Sequence, residues 1–295
     1  MRPMDATKSH LLPFIDQFMN FLRILLGCSL AVLGGMSEIS AQRGAELGGW
    51  LGGAHYFGDI NNLYRLNEPG LALGGTARFN FNSRLYGQVQ LNYARLRGDD
   101  AKSDNFFDQR RNLAFFTDLF EINPVIGLHF FDYIHGHRGF HLIPYMTMGF
   151  SVFQYSPKRS VDGTVYRLRE IGTEGQVTGQ EYGPISGAWT FGLGAKFDLN
   201  YRWSVQFDIN ARIAFTDYLD DVSTVYPDVN QLGNQKGAIA AFLSDPSLPD
   251  INQQKIGQRG FQRGDSNDRD MFVTLGVGLM YYFGRLSCPP ISYPN

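Results

Sequence analysis

Hydrophobic side chains recur at every second position over much of this chain, the period of a β-strand with two unlike faces. The clearest case spans residues 71–82. Leu71, Leu73, Gly75, Ala77, Phe79 and Phe81 share one face there, and Ala72, Gly74, Thr76, Arg78 and Asn80 share the other. Next, Leu85, Val89, Leu91 and Tyr93 oppose Gln88, Gln90 and Asn92. A third segment sets Phe120, Ile122, Pro124, Ile126, Leu128 and Phe130 against Glu121, Asn123, Gly127 and His129. Trp189 to Leu199, Trp203 to Phe215 and Met271 to Phe283 alternate in the same way, and weaker alternation covers 47–57 and 142–155. The pattern predicts eight strands.

Two environments produce such alternation. A soluble sandwich turns its apolar faces inward and uses strands of about 5–6 residues. The segments here run to roughly 10–13 residues, the length of a tilted strand crossing a bilayer. Their polar faces are mostly Gly, Ala, Ser, Thr, Asn and Gln, which fit the narrow interior of an eight-stranded barrel. A water-facing strand would carry more Lys and Glu. Aromatic residues gather near segment ends: Trp50, Tyr56, Phe57, Phe115, Phe116, Phe130, Phe131, Trp189, Trp203, Tyr218 and Tyr281 to Phe283. That placement suits girdles at two membrane interfaces.

The connections alternate in length. Long stretches at 58–70, 95–117, 156–188 and 217–270 are separated by 82–84, 132–141 and 200–202. This rhythm predicts an all-β chain: an eight-stranded antiparallel transmembrane β-barrel of OmpX/OmpW-like size, with long extracellular loops and both mature termini periplasmic. Closure is a physical demand, because strands in hydrocarbon satisfy their backbone polar groups only when the sheet has no edge. Loop four (217–270) is rich in Asn and Gln and reads as partly mobile, with a short helical turn at 238–243.

Residues 1–41 read as an export leader. One positive charge at Arg23 precedes an apolar run from Ile24 to Met36, and small residues follow, giving a predicted cut after Ala41. The apolar core is too short to span a bilayer as a helix. Residues 1–18 carry Asp5 and Asp16 ahead of the charged region, which points to translation starting at Met19. The barrel then occupies 42–284, and 285–295 form a periplasmic tail.

Composition narrows the function. The 295 residues include 34 Gly, 14% aromatics and two Cys, with a net charge of -2. Nothing in that balance is an electrostatic footprint for nucleic acid. Two cysteines are too few for a disulfide scaffold or a Cys-rich metal module.

Inward-phase charges are the first chemical candidates: Arg78, Glu121, Lys196, Asp208 and Arg212. Counted from the short turns, Glu121 and Arg212 sit at similar height, and Lys196 and Asp208 lie on neighbouring strands. A paired, hydrogen-bonded plug is expected, since unpaired buried charges cost several kcal/mol each by about any estimate. The alternative is a narrow conduction path. His129, His135, His137 and His141 are close in sequence, but no Cys or Glu completes a metal-ligand spacing, and a solvated, aromatic-rich turn is the plainer reading. Asp99-Asp100 and Asp220-Asp221 sit where strands emerge at the long-loop end. They suit strand-end caps, or contact with cations that bridge lipopolysaccharide. No Ser/His/Asp set accompanies them. No catalytic, cofactor-binding or metal-binding residues are assigned, and the chain is expected not to be an enzyme.

Several segments resemble a known family. These are Tyr56-Phe57-Gly58-Asp59, Arg111-Asn112-Leu113-Ala114-Phe115, Asp118-Leu119-Phe120-Glu121, Phe130-Phe131-Asp132-Tyr133, Gly172-Thr173-Glu174-Gly175-Gln176, Phe215-Thr216-Asp217-Tyr218-Leu219-Asp220-Asp221-Val222, and Tyr282-Phe283-Gly284 before Cys288-Pro289. Together they are similar to outer-membrane β-barrels of the Bacteroidetes lineage that include PorG, a component of the type IX secretion system. The resemblance runs through essentially the whole mature chain. It implies a non-enzymatic outer-membrane protein that contacts a periplasmic ring of PorK-like lipoprotein and PorN-like protein. It supplies no catalytic residues. The tail, with Cys288, Pro289, Ile291 and Tyr293, is the expected docking segment, together with the short turns. A stand-alone barrel for envelope integrity, adhesion or small-solute passage is the competing reading.

Overall fold

A computed structural model describes residues 44–62, 64–135 and 142–284. The described residues form nine strands, β1 Gly44–Phe57, β2 Gly70–Asn80, β3 Leu85–Asp99, β4 Ala114–His129, β5 Leu142–Val161, β6 Thr164–Arg167, β7 Ile185–Asp198, β8 Trp203–Ala214 and β9 Met271–Tyr282. Every pairing is antiparallel. The ring runs β1–β2–β3–β4–β5–β7–β8–β9 and returns to β1, so the eight expected strands close into a barrel. The ninth, β6, pairs only with the far end of β5, above the ring. The predicted export leader, His137, His141 and the docking tail with Cys288, Pro289, Ile291 and Tyr293 lie outside the described residues.

The outward faces are apolar, as the alternation predicts. Phe120, Ile122, Leu193, Phe207, Ile209 and Val277 are each half-exposed or more. Arg212 and Lys196, one position out of phase with them, are 0% exposed. An apolar wall around a closed ring with a charged interior is the inverse of a soluble sandwich, and it is the architecture of an outer-membrane β-barrel. Among the described residues no helix is long and apolar enough to cross a membrane.

The two short turns share one device. Asn82 accepts from the amides of Arg84 and Leu85 at 2.8 and 2.7 Å, and Asn200 accepts from those of Arg202 and Trp203 at 2.9 and 3.0 Å. An asparagine side chain that replaces a backbone acceptor fixes a tight reversal, and with it the strand register. Glycine serves close approach inside the barrel. A Cβ on Gly127 would lie 2.0 Å from the Tyr86 ring, and one on Gly194 would lie 2.5 Å from the Tyr145 ring. Both tyrosines therefore lie flat across a neighbouring strand that has no side chain. At Pro124 the β4–β5 ladder is interrupted, because proline has no N–H to donate.

Several expectations need correction. β3 continues to Asp99 and β4 begins at Ala114, so the second long loop is shorter than the hydrophobic pattern implied. Trp50, Tyr56 and Phe115 belong to no girdle. Trp50 bonds inward to Asn92, and Tyr56 and Phe115 are 1% and 5% exposed, packed edge to face. Loop four is a folded cap: helices at Val229–Lys236 and Ala238–Ser244, with Leu219, Val222, Tyr226, Leu232 and Leu243 buried. Val225, Leu248, Ile251 and Phe261 stay exposed, and the buried apolar residues are spread singly among polar ones, so the composition alone resembles that of a mobile loop.

Candidate functional site

Side chains fill the barrel interior in layers. Nearest the short turns, Glu46 is 2% exposed and stands between two cations. Lys196 donates to it from across the barrel, and Arg78 Nη1 lies 3.8 Å from its Oε2. Asn80 donates to its other oxygen at 2.9 Å. Arg78 also donates to Gln88 and Gln206 at 2.8 and 2.9 Å and lies over the Tyr86 ring at 4.3 Å. Asp208 accepts from Tyr145 at 2.6 Å.

Midway up, Arg212 grips Glu121 with two parallel hydrogen bonds of 3.1 and 3.0 Å. Asn92 donates to Glu121 at 2.7 Å and accepts from Trp50 at 2.9 Å. The chain Trp50–Asn92–Glu121–Arg212 thus spans the lumen with charge matched by charge. Such pairing is what makes buried ions tolerable.

Of the five predicted lumen residues, Glu121 and Arg212 meet each other, Arg78 and Lys196 meet on Glu46, and Asp208 takes a tyrosine instead of Lys196. Glu46 was missed. Its signal was present: it shares parity with Gly48 and Trp50, against Ala45, Leu47 and Leu51.

Both ends of the barrel are covered. At the short-turn end the segment after β4 folds inward. Tyr133 donates to Asp198 at 2.9 Å, with its ring 4.6 Å from Lys196 Nζ. His135 stacks on Tyr282 at 4.5 Å. His129 packs against Tyr86 and Tyr133 at 4.7 and 4.9 Å. These two histidines are buried aromatic packing partners, His129 1% and His135 4% exposed, so this part of the turn is not solvated as expected. Among the described residues no group of three or more His, Cys, Asp or Glu is arranged to hold a metal ion. At the long-loop end, Ala54, Ala72, Ala94, Ala188 and Ala214 line the wall, and Leu96, Leu119, Phe153 and Phe272 fill it. Leu219, Val222 and Leu243 of loop four close the top.

Above that apolar seal, four of the segments that carry the family resemblance converge. Tyr56 Oη lies 2.7 Å from Asp220 and 2.6 Å from Asp270. One hydroxyl proton cannot serve two ionised carboxylates, so one of the pair is protonated and donates to the tyrosine oxygen. Burial holds both carboxyls above the ordinary range, and the charge on Asp270 raises Asp220 further. Burial also pushes Asp217 up to about 8, with the Asp270 charge adding to it. Asp59 is pushed up to about 6, mainly by burial.

Nearby, Glu174 accepts from the amides of Ser223 and Thr224 at 2.9 and 3.1 Å and from Arg263 at 3.1 Å. Asp221 accepts from Thr173 and from Tyr182. Tyr182 stacks on Tyr218 at 4.4 Å. Arg111 holds Asp100 in two bonds of 2.7 and 2.9 Å and reaches the Asp59 carbonyl at 2.7 Å. Asp100, Asp220 and Asp221 are therefore buried anchors. Asp99 caps the short turn after β3 through the Ala101 amide at 3.0 Å. The motifs at 56–59, 111–115, 172–176 and 215–222 form one hydrogen-bonded knot that seats loop four on the barrel.

A pH dependence follows from this knot. The facing ionisable groups are Asp59, Asp217, Asp220, Asp270, Glu174, Tyr56, Arg111 and Arg263. The raised carboxyls bind more protons folded than unfolded, so their contribution is complete below about pH 4 and is lost as pH rises towards about 8. The Leu219 amide, bonded to Asp270 at 2.7 Å, reports on it. Its hydrogen-exchange protection, corrected for intrinsic rates, should fall between pH 4 and 8 and level off above. Protection that rises over that interval would contradict the assignment of the shared proton.

No curated protein matches this chain in sequence. Among solved structures, the chain is similar to the outer membrane protein OprG of Pseudomonas aeruginosa, at 8% identity and TM-score 0.40, covering 84% of this chain and 100% of that one. It is similar to Neisserial surface protein A at 10% identity and TM-score 0.38, covering 83% and 100%. The N-terminal β-barrel domain of Pseudomonas aeruginosa OprF gives 10% identity and TM-score 0.36, again covering 83% and 100%. The barrel assignment rests on this chain's own closed ring of strands. Residues 24–237 match the family described as a domain of unknown function, DUF6089, and the chain belongs to that family.

Proposed function

We propose that the protein is a non-enzymatic outer-membrane component of type IX protein secretion machinery, serving to anchor or contact a periplasmic ring of PorK-like lipoprotein and PorN-like protein. The observation that favours this over small-solute passage is the doubly covered lumen. Charges that would line a conduction path are spent on each other at Glu46, Arg78, Lys196, Glu121 and Arg212. Side chains close both mouths. A barrel built this way offers its outside, its turns and its tail as working surfaces. In this reading the long loops are extracellular, and the short turns and the tail with Cys288, Pro289, Ile291 and Tyr293 face the periplasmic ring.

Affinity purification from detergent-solubilised envelopes tests it. Recovery of a ring lipoprotein with the barrel is the expected result, and deletion of the gene should block secretion of cargo bearing the type IX C-terminal signal. A barrel that purifies alone, with cargo secretion intact in the deletion strain, overturns the reading. Planar-bilayer recordings bear on the competing function: steady single-channel conductance would favour passage.

A further inference from the structure

The outer wall of β3, β4 and β5 changes character in steps toward the long-loop rim. Its outward pairs run Leu91↔Ile122, then Tyr93↔Phe120, then Arg95↔Asp118, then Arg97↔Phe116. On β5, Val152 sits beside Ile122 and Lys158 beside Phe116. Apolar, aromatic and ionic layers thus follow one another two residues at a time, the order of hydrocarbon, interface and headgroup. The aromatic step is where a membrane surface would lie.

The ionic step holds surplus positive charge. Arg95 and Lys158 both donate to Asp118, at 2.7 and 2.9 Å, and Tyr93 donates to the same carboxylate at 2.7 Å. One anion thereby holds two cations side by side over the Phe116 ring, at 5.4 and 6.0 Å. Arg97 is exposed, and among the described residues its guanidinium takes part in no hydrogen bond or ion pair. Nearby charges are Lys102 with Glu68 and Asp99, Arg167 beside Lys158 with its partner Glu170, and Arg159, which donates to the Asn112 carbonyl. Positive charges exceed negative ones, and the excess lies at Arg95, Arg97 and Lys158.

Two grooves meet this cluster. One of about 460 Å³ is lined by Arg95, Arg97, Phe116 and Arg159, with Glu68 and Asp99 at its Lys102 side, so three cations face two carboxylates. The other, of about 570 Å³, lies lower on the lipid-facing wall and is lined by Leu73, Leu91, Tyr93, Phe120, Ile122 and Val152. A cationic cleft directly above an apolar groove matches a molecule with an anionic head and a hydrocarbon tail. Phosphate oxygens accept several charge-assisted bonds at once, which suits arginine forks held in place beforehand.

We propose that this wall binds a phosphate-bearing lipid, with the phosphate among Arg95, Arg97 and Lys158 and an acyl chain in the Leu91–Phe120–Ile122 groove. The choice of lipid rests on the reading that the long-loop rim faces the cell exterior, where a lipid A-type glycolipid supplies the phosphate. Asp118 is the positioning residue: it orients two of the cations and leaves the third for the ligand.

The test uses the full-length protein purified in a non-ionic detergent and titrated with diphosphoryl lipid A under native mass spectrometry. One tightly retained lipid per barrel is expected. Arg97→Ala should weaken it roughly tenfold, the loss of one charge-assisted contact, while keeping the heat-dependent mobility shift of a folded barrel in SDS. Dephosphorylated lipid A should bind at least as weakly as diphosphoryl lipid A does to that variant. Equal binding by the dephosphorylated lipid, or by Arg97→Ala, overturns the proposal. So does inorganic phosphate that competes at the same concentration as the lipid, since the groove would then contribute nothing. Retention of lipid A by a barrel that brings down no ring proteins, with cargo secretion intact in the deletion strain, would sink the secretion role and leave this site standing.

Discussion

Replacing Glu46 by Ala should cost the barrel about 3–5 kcal/mol, the penalty for stripping the counter-ion from a buried pair. The effect belongs at the upper end because two cations depend on this one carboxylate. Lys196 donates to it directly, and Arg78 lies 3.8 Å away. All three are buried, with Glu46 and Arg78 each 2% exposed. Removing Glu46 leaves like charges facing each other in a space that bulk water does not reach. The double replacement Glu46→Met with Lys196→Met should recover part of the loss, because it deletes the desolvation penalties of both residues but leaves the buried Arg78 to Gln88 and Gln206. Urea titration of the protein refolded in lipid vesicles measures both. A loss under about 1 kcal/mol for Glu46→Ala is what an exposed pair would give, and would mean that the lumen is solvated.

Ile209→Arg should destabilise the barrel by about 2–4 kcal/mol, the cost of a lipid-facing cation near the midplane of a bilayer. Ile209 is 52% exposed and sits between Leu193 and Leu275 on the neighbouring strands. In a soluble protein the same change at an exposed position would lie within about 0.5 kcal/mol of neutral. Ile209→Leu should stay near neutral. The same vesicle titration reads all three proteins, and a harmless arginine at 209 would remove hydrocarbon from the surroundings of this face.

The fold was legible because a bilayer imposes a strict demand on strands. Outward residues must be apolar, the lumen is narrow, and the period of two carries both messages at once. Parity placed Arg78, Glu121, Lys196, Asp208 and Arg212 on the inward side. It also held information that aromatic clustering obscured. Trp50 and Tyr56 share the parity of Gly48, against outward Leu47 and Leu51, and Phe115 shares that of inward Glu121. Which inward charges meet was less legible. Pairing across a barrel depends on the stagger of the strands, so Lys196 reaches Glu46 on β1, and Asp208 on the adjacent strand bonds Tyr145. Loop four was hidden most of all. Its order comes from contacts such as Glu174 with Ser223 and Arg263, which join residues 49 and 89 positions apart and leave no periodic trace.

Site-directed spin labelling along β8 is the most direct measure of which way the side chains look. Single cysteines at 206, 207, 209 and 210, in a chain with Cys28 and Cys288 replaced by Ser, are labelled in lipid vesicles. Their collisions with oxygen and with a water-soluble nickel chelate are then compared. Labels at 207 and 209 should meet oxygen freely and the chelate hardly at all, while labels at 206 and 210 are shielded from both. Free access of the chelate to 207 and 209 would place that face in water and contradict the membrane barrel.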